Sequence, residues 1–304
     1  MFNRIEFKRK ARAQLKGKLP ICIAVVCISQ FFDIIVTMLK TKLQVNNYVS
    51  FAFSIFTFCV TAIFSFALSG FFLKLTQKEG CPEFKDYTVG FTTPVTAILK
   101  KLLESFMIFL WSLLVIIPSI IILALTGAFS ILNAAGIFSI DNLENLDKFE
   151  NEEFLRNFLT ENIESFLVFF AVLSIALIAL LVVMVRKHIS YSQMNRILVE
   201  NPGMAVSRAM SISIEYTKKH IGDLFFLSIS FLGWILLALI AGYAIAMPFK
   251  KILPSLYEYL KLCLPQLGFC FIIPYTKTAH AYAYLYMKQE ALEHGKIKIN
   301  TIIQ

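Results

Sequence analysis

The feature of this sequence that most constrains its fold is a long run without charge, from Leu224 to Met247. A basic cluster, Lys218, Lys219 and His220, precedes the run. Because an α-helix rises 1.5 Å per residue, a run of this length spans the roughly 30 Å hydrocarbon core of a bilayer. We therefore predict that the chain crosses a membrane, and other apolar runs with basic flanks recur along it.

The composition is unlike that of an ordinary soluble domain. Hydrophobic residues make up 58% of the 304 residues and charged residues only 16%, whereas a soluble domain carries about a quarter charged residues. The formal net charge of +9 could indicate nucleic acid, but the basic residues flank apolar runs and form no separate basic domain. We therefore expect no nucleic-acid partner. The basic flanks are expected to face the lipid bilayer and its anionic headgroups at the cytoplasmic surface.

Six apolar runs of spanning length predict an all-α fold, a polytopic transmembrane helical bundle that forms a single integral membrane domain over residues 1–304. Amphipathic cytoplasmic helices are expected between the hairpins, and Pro118 is expected to kink the third span. The predicted spans are 20–39, 49–75, 106–132, 163–185, 224–247 and 262–287, with an acidic external loop over 133–162. That loop is either a solvated surface segment or a site that collects cations or docks a partner.

The distribution of basic residues predicts the orientation of the spans. With both termini on one side of the membrane, about three quarters of the 29 Lys and Arg residues fall on that side. Cytoplasmic loops of membrane proteins carry an excess of Lys and Arg, so both termini are predicted to be cytoplasmic in a multi-pass protein of the cell membrane. The first apolar run, 20–39, exceeds the roughly 7–15 apolar residues of a signal peptide, so we expect it to be retained.

Motifs for metal binding and enzyme chemistry are missing from the sequence. The six cysteines form no CxxC pair and have no zinc-ligand spacing with histidine, so we expect no metal site and no cofactor. Neither HExxH, GxSxG, a Walker A motif nor the kinase set occurs. We therefore expect that the protein is not an enzyme and has no catalytic residue.

The candidate functional residues are ionisable side chains inside the predicted spans, namely Asp33, Lys277 and His280. A charge at the centre of a membrane helix costs roughly 2.5–3.5 kcal/mol, so such side chains usually face protein or water. Lys277 and His280 are three residues apart and share a helix face. We predict that this pair faces the bundle interior near the fifth span, in a polar cavity open to the cytoplasm. Either these residues have structural partners, or Asp33 is a cation or proton site and the pair binds a phosphate headgroup or relays protons.

Several short motifs spread along most of the chain resemble one known family. They are Ala11-Arg12…Leu15-Lys16-Gly17, Trp111-Ser112-Leu113-Leu114-Val115-Ile116-Ile117-Pro118, and Tyr191…Asn201-Pro202…Ser211…His220-Ile221-Gly222…Phe226 to Trp234…Pro274-Tyr275…Ala279…Tyr284. This pattern resembles the bacterial integral membrane proteins grouped as the domain-of-unknown-function family numbered 975, and departs from it at Ser119, where we would expect Gly. The layout is also distantly similar to the membrane domain fused to some glycerophosphodiesterases, whose catalytic domain has no counterpart here.

The resemblance implies a fold and a bacterial membrane location but no activity, because the family has no established one. Two functions are therefore left as predictions. The first is a non-enzymatic role in bacterial envelope maintenance or membrane complex assembly, which implies a membrane-protein partner. The alternative is a transporter or lipid-handling protein that uses the intramembrane residues Asp33, Lys277 and His280.

Overall fold

Most of the residues that the computed structural model describes, which are 2–42, 47–78, 83–125, 160 and 163–293, are helical. No strand occurs in these ranges, which confirms the all-α prediction. A short 3-10 helix covers Phe84–Asp86. In chain order the α-helices are α1 Arg4–Leu15, α2 Leu19–Lys42, α3 Asn47–Gln77, α4 Val89–Thr92, α5 Pro94–Leu125, α6 Ile163–Tyr191, α7 Met194–Glu200, α8 Val206–Thr217, α9 Ile221–Ile229, α10 Leu232–Ala246, α11 Phe249–Ile252 and α12 Pro254–Glu293.

Six helical segments of the described chain are long and apolar enough to cross a membrane, as the sequence predicted. They are Leu19–Val36, Tyr48–Gln77, Pro94–Leu125, Ile163–Glu200, Ile221–Ile252 and Pro254–Glu293. The cytoplasmic location of both termini stays a prediction. The predicted acidic loop, 133–162, lies outside the described residues except for Thr160.

Helices α5 and α12 extend furthest beyond the spans predicted for them. Helix α5 begins at Pro94, which confirms the helix start that the sequence indicates over 94–106, and it continues into the third predicted span. Lys100 and Glu104 pair with each other and do not interrupt the helix. The predicted end of this span, 126–132, lies outside the described residues. Helix α12 has 40 residues and continues through two internal prolines. Helix α5 likewise continues through Pro118, and the kink predicted there stays a prediction.

The fifth predicted span, 224–247, is divided between two helices, α9 and α10. They are separated at Ser230 and Phe231. The Ser230 hydroxyl donates a hydrogen bond to the Leu227 carbonyl. The Phe231 ring is only 2% exposed and packs edge-on against Tyr275 of α12, with the ring centroids 5.2 Å apart. Burial of this ring fixes the position of the break against α12.

The described chain divides into two compact units. The first comprises Met1–Glu104 and Ile189–Gln304, and the second Ser105–His188. Within the second, α5 and α6 enclose an apolar groove of about 220 Å³. Many large apolar side chains of the second unit are more than half exposed, which suits contact with lipid chains. The single membrane domain over 1–304 stays a prediction.

Helix α12 is the centre of the first unit, where it packs against α1, α2, α3, α8 and α10. Its residues Ala279, Ala281 and Ala283 are fully buried, so neighbouring backbones approach it closely. Gly242 of α10 also packs tightly here, because a Cβ at this position would lie only 2.6 Å from the backbone nitrogen of Pro265. Small residues therefore determine which helices can surround α12.

The amphipathic helix α1 docks on protein through one face. Phe7, Ala11 and Leu15 follow one another at intervals of four residues and are all buried. Gln14 donates hydrogen bonds to two carbonyls at the carboxyl end of α3, which would otherwise lack a partner in that helix. Gly17 has φ +80°, a left-handed conformation that suits glycine, where the chain passes from α1 into α2.

A buried carboxylate anchors the segment that follows α3. Asp86 is 2% exposed and accepts hydrogen bonds from the Lys78 ammonium at 2.9 and 3.0 Å, while the Lys74 ammonium lies 3.4 Å away. Burial raises the pKa of Asp86, but the hydrogen bonds from Lys78 and from the Glu83 backbone, with the two lysine charges, outweigh it and hold that pKa below its ordinary value. Asp86 in its charged form therefore ties this segment to the carboxyl end of α3.

Candidate functional site

Lys277 and His280 lie one turn apart on α12, and both are partly buried. The Nε2 atom of His280 lies 3.4 Å from the hydroxyl oxygen of Ser228 in α9. The His280 ring also lies beside Phe231, with 6.4 Å between the ring centroids. His280 is therefore close to the fifth span, where the sequence analysis placed the pair. A cavity open to the cytoplasm stays a prediction.

Three cationic side chains from three different candidate spans lie close to one another beside His280. Lys277 of α12 interacts electrostatically with Lys100 of α5 and with Arg196 of α7. His280 also lies within electrostatic range of Arg196 and Lys277. We call Lys100, Arg196 and Lys277 the cationic cluster. Like charges repel most strongly where water is excluded, so such a cluster needs compensating negative charge.

One carboxylate compensates part of this charge. Glu104 lies one turn after Lys100 on α5, and its carboxylate oxygen is 2.6 Å from the Lys100 ammonium. The two side chains are only 5% and 10% exposed, so the pair is buried. The charge of Glu104 also acts on Lys277. One carboxylate against three cations leaves the cationic cluster with net positive charge.

Arg196 has a buried hydrogen-bond donor without a partner in the described part of the chain. The residue is 6% exposed, and its Nη1 donates a hydrogen bond of 2.6 Å to the side-chain oxygen of Gln193. Its Nε finds no hydrogen-bond partner among the described residues. A buried donor without a partner is destabilising by roughly 1–3 kcal/mol, and more when it is charged. The planar guanidinium is suited to a carboxylate or phosphate, which accepts two parallel hydrogen bonds.

Arg196 lies between the fourth and fifth predicted spans, where the sequence predicts amphipathic cytoplasmic helices, but its surroundings are buried. Tyr191, Met194 and Leu198 are each at most 1% exposed, so this stretch is part of the protein core. Its polar side chains have internal partners, because the Asn195 amide donates a hydrogen bond of 3.1 Å to the hydroxyl of Ser69. Internal hydrogen bonds therefore let a polar stretch enter the core.

Glu200, one turn after Arg196, joins three helices. Its two carboxylate oxygens accept hydrogen bonds from Gln77 of α3 at 2.7 Å and from Tyr284 and Lys288 of α12 at 2.6 Å each. Tyr216 of α8 lies beside Tyr284, and burial together with the charge of Glu200 raises the pKa of Tyr216 to about 12. These contacts hold α7 against α12 and so fix Arg196 beside Lys277.

The remaining predicted site residue, Asp33, lies in α2, but its side chain is outside the described part of the structure. Whether Asp33 joins the site stays a prediction. In the described ranges, no group of three or more His, Cys, Asp and Glu side chains is arranged to hold a metal ion.

The sequence analysis did not identify Lys100, Glu104, Arg196 or Glu200 as site residues. The spacing of four between Lys100 and Glu104, at the start of an apolar helix, is a signal that could have revealed the first pair. Arg196 and Glu200 lie where the sequence predicts amphipathic cytoplasmic helices, and no local pattern there indicates burial.

Comparison with known proteins identifies a family but no characterised relative. No curated protein and no solved structure matches the chain significantly. The sequence model of one family, described as a protein of unknown function (DUF975), matches residues 1–291. This confirms the resemblance found in the sequence motifs, and the chain belongs to the DUF975 family.

Proposed function

We propose that this integral membrane protein binds an oxyanion through the cationic cluster, as a transporter or a lipid-handling protein would. The observation that carries the proposal is the buried Nε of Arg196, which has no partner among the described residues. The excess of cations over carboxylates around Lys277 supports it independently. An ionisable group within a candidate span is by default a sign of a functional site.

Each residue has a separate role in this proposal. Arg196 presents its free N–H to the ligand, while Gln193 orients the guanidinium from the other side. Lys277 supplies a point charge, and the Lys100–Glu104 pair sets the net charge of the cluster. His280, next to Ser228, positions the ligand by hydrogen bonding. The prediction that Asp33 binds a cation or proton is kept with this function.

The proposal is tested by anion-dependent stability of the purified protein. A ligand that binds only the folded state stabilises it by about 2.7 kcal/mol at one hundred times its dissociation constant. Inorganic phosphate should therefore raise the midpoint of thermal unfolding more than chloride does at the same ionic strength. If the ligand is instead a lipid phosphate, phosphatidic acid in mixed micelles should stabilise the protein and inorganic phosphate should not.

Variants of α12 connect the stabilisation to the cationic cluster. Lys277→Met removes a like charge from the cluster, so the variant should fold and lose the anion-dependent stabilisation. Lys277→Arg should retain it. Lys261→Met is the matched control, because Lys261 lies on the same helix and pairs with Glu258. Equal stabilisation by phosphate and chloride, with no effect of phosphatidic acid, would contradict the proposal, as would undiminished stabilisation of Lys277→Met.

A non-enzymatic role in envelope maintenance or membrane complex assembly is the other function proposed from the sequence. Stable co-purification with one membrane protein would favour it over oxyanion binding. Neither function requires catalytic chemistry, so we propose that the protein is not an enzyme. The cell membrane of a bacterium is the proposed location, in keeping with the six candidate spans.

A further inference from the structure

We propose that a groove beside α1 binds one phospholipid with an anionic headgroup. The groove has a volume of about 720 Å³, and Lys8 and Arg12 of α1 lie along it together with Lys16, which directly follows α1. We call it the basic groove. It shares no residue with the cationic cluster, so the proposal is independent of the proposed function.

The two sides of the basic groove differ in chemistry. Its basic side is formed by Lys8 and Arg12, which are four residues apart on one face of α1, and by Lys16, which directly follows the helix. Its other side is apolar and aromatic and includes Trp234 of α10 and Phe271 of α12. An anionic phospholipid has the same division between a charged headgroup and apolar chains.

The basic side has positive charge available for a ligand. No described carboxylate lines the groove. The nearby acid on α1, Glu6, pairs instead with Lys10 at 2.8 Å. Lys8 lies with its ammonium 4.7 Å from the centre of the Phe231 ring, and burial together with the charge of Arg4 lowers the pKa of Lys8. An anionic headgroup at this position would favour the charged form of Lys8 and so offset both its burial and the repulsion from Arg4.

The apolar side favours a lipid over a soluble anion. The side chains of Trp234 and Phe271 are 60% and 62% exposed within the protein. A free phosphate would leave these rings without a partner, whereas an acyl chain would cover them. Aromatic side chains of this kind are enriched at the boundary between headgroups and acyl chains. The arrangement therefore fits the headgroup of one anionic phospholipid together with the first part of its chain.

Fluorescence quenching can detect a lipid in the basic groove directly. The protein has two tryptophans, so Trp111→Phe leaves Trp234 as the only tryptophan. This variant is reconstituted into phosphatidylcholine vesicles that contain a small fraction of phosphatidylglycerol with brominated chains. We expect saturable quenching of Trp234 at low fractions of this anionic lipid. Brominated phosphatidylcholine at the same fractions should quench only in proportion to its amount.

Two double variants in this background separate a specific site from general attraction. Because a charged hydrogen bond to the headgroup contributes roughly tenfold in affinity, Arg12→Gln with Lys16→Gln should lower the lipid affinity measured by saturable quenching about a hundredfold. The matched control, Arg9→Gln with Lys10→Gln, removes two charges of the same helix that do not line the groove. This control should retain most of the affinity.

The outcomes distinguish this proposal from its alternatives. Equal quenching by the two brominated lipids would overturn it, and so would an equal loss of affinity in the two double variants. Displacement of the brominated lipid by millimolar glycerol phosphate would identify a soluble anion as the ligand and also overturn it. Lys277→Met should leave the quenching unchanged, so failure at the cationic cluster and failure at the basic groove can be told apart.

Discussion

Replacing Glu104 by glutamine is expected to destabilise the protein strongly, because it removes a buried negative charge from beside three cations. The variant keeps the size of the side chain. It leaves Lys100 buried without its ion-pair partner, and that side chain is only 10% exposed. Lys277 and Arg196, which lie close by, then add only repulsion.

The expected magnitude follows from the geometry of the ion pair. Two unit charges 2.6 Å apart attract by about 6 kcal/mol at an effective dielectric constant of about 20. Desolvation of both groups offsets much of this attraction, so the pair itself adds little to the stability of the fold. Removing one partner of a buried pair, however, leaves the other charge uncompensated and typically costs about 3–5 kcal/mol. We expect Glu104→Gln to destabilise the protein by this amount.

The prediction is measured by thermal and denaturant unfolding in one detergent, with Glu6→Gln as the matched control. Glu6 and Lys10 form a pair with the same spacing of four residues, but their side chains are 38% and 50% exposed. Solvent and salt screen such a pair, so Glu6→Gln should change stability little. The double variant Lys100→Met with Glu104→Gln should recover much of the loss. The reasoning is refuted if Glu104→Gln is no less stable than Glu6→Gln.

Three further predictions test other parts of the molecule. Because the pKa of Asp86 is lowered, Asp86→Asn should be less stable than the unsubstituted protein above about pH 4, and this difference should vanish as the pH falls below that value. A difference in unfolding midpoint that does not change with pH would contradict this. Gly242→Ala should destabilise the protein by about 1–3 kcal/mol through overpacking, whereas Gly233→Ala on the same helix, with open space around its Cβ, should not. A reporter fused after Gln304 should be active in the cytoplasm and one inserted near Glu150 outside it, and the reverse pattern would refute the predicted topology.

The number of spans and several of their ends could be predicted from the sequence, but not all of the ends. Apolar length depends only on the order of residues, so all six segments were found. A helix start over 94–106 could also be read from the sequence, and α5 begins at Pro94; the predicted span itself begins only at 106, because charges normally interrupt a span. Here Lys100 and Glu104 pair with each other, and a helix can contain both when they are one turn apart.

The break between α9 and α10 depends on a contact that is distant in sequence. Nothing in the uncharged run 224–247 distinguishes Phe231 from the other large apolar residues. Only its packing against Tyr275 of α12 selects it, with the ring buried between the helices. Such tertiary contacts override local helix propensity, which is why one predicted span became two helices.

The candidate site was predicted only where one helix face carries it. Lys277 and His280 share a face of α12, and their spacing of three made them visible in the sequence. Arg196 is separated from them by more than eighty residues and reaches them only because Glu200 ties α7 to Tyr284 and Lys288. A site assembled from three helices in this way needs the tertiary structure, because no local pattern connects its parts.

The three cations of the cationic cluster are not needed to explain the topology. Lys100, Arg196 and Lys277 are all among the basic residues on the side of the membrane that is predicted to be cytoplasmic. Without them, most of the Lys and Arg residues still fall on that side, so the orientation is predicted equally well. Basic residues that determine the orientation of the spans can lie at the lipid headgroups, where their side chains need not be buried. Arg196 and Lys100 are buried, and one donor of Arg196 has no partner within the described ranges, so their burial calls for another explanation. An oxyanion ligand provides one.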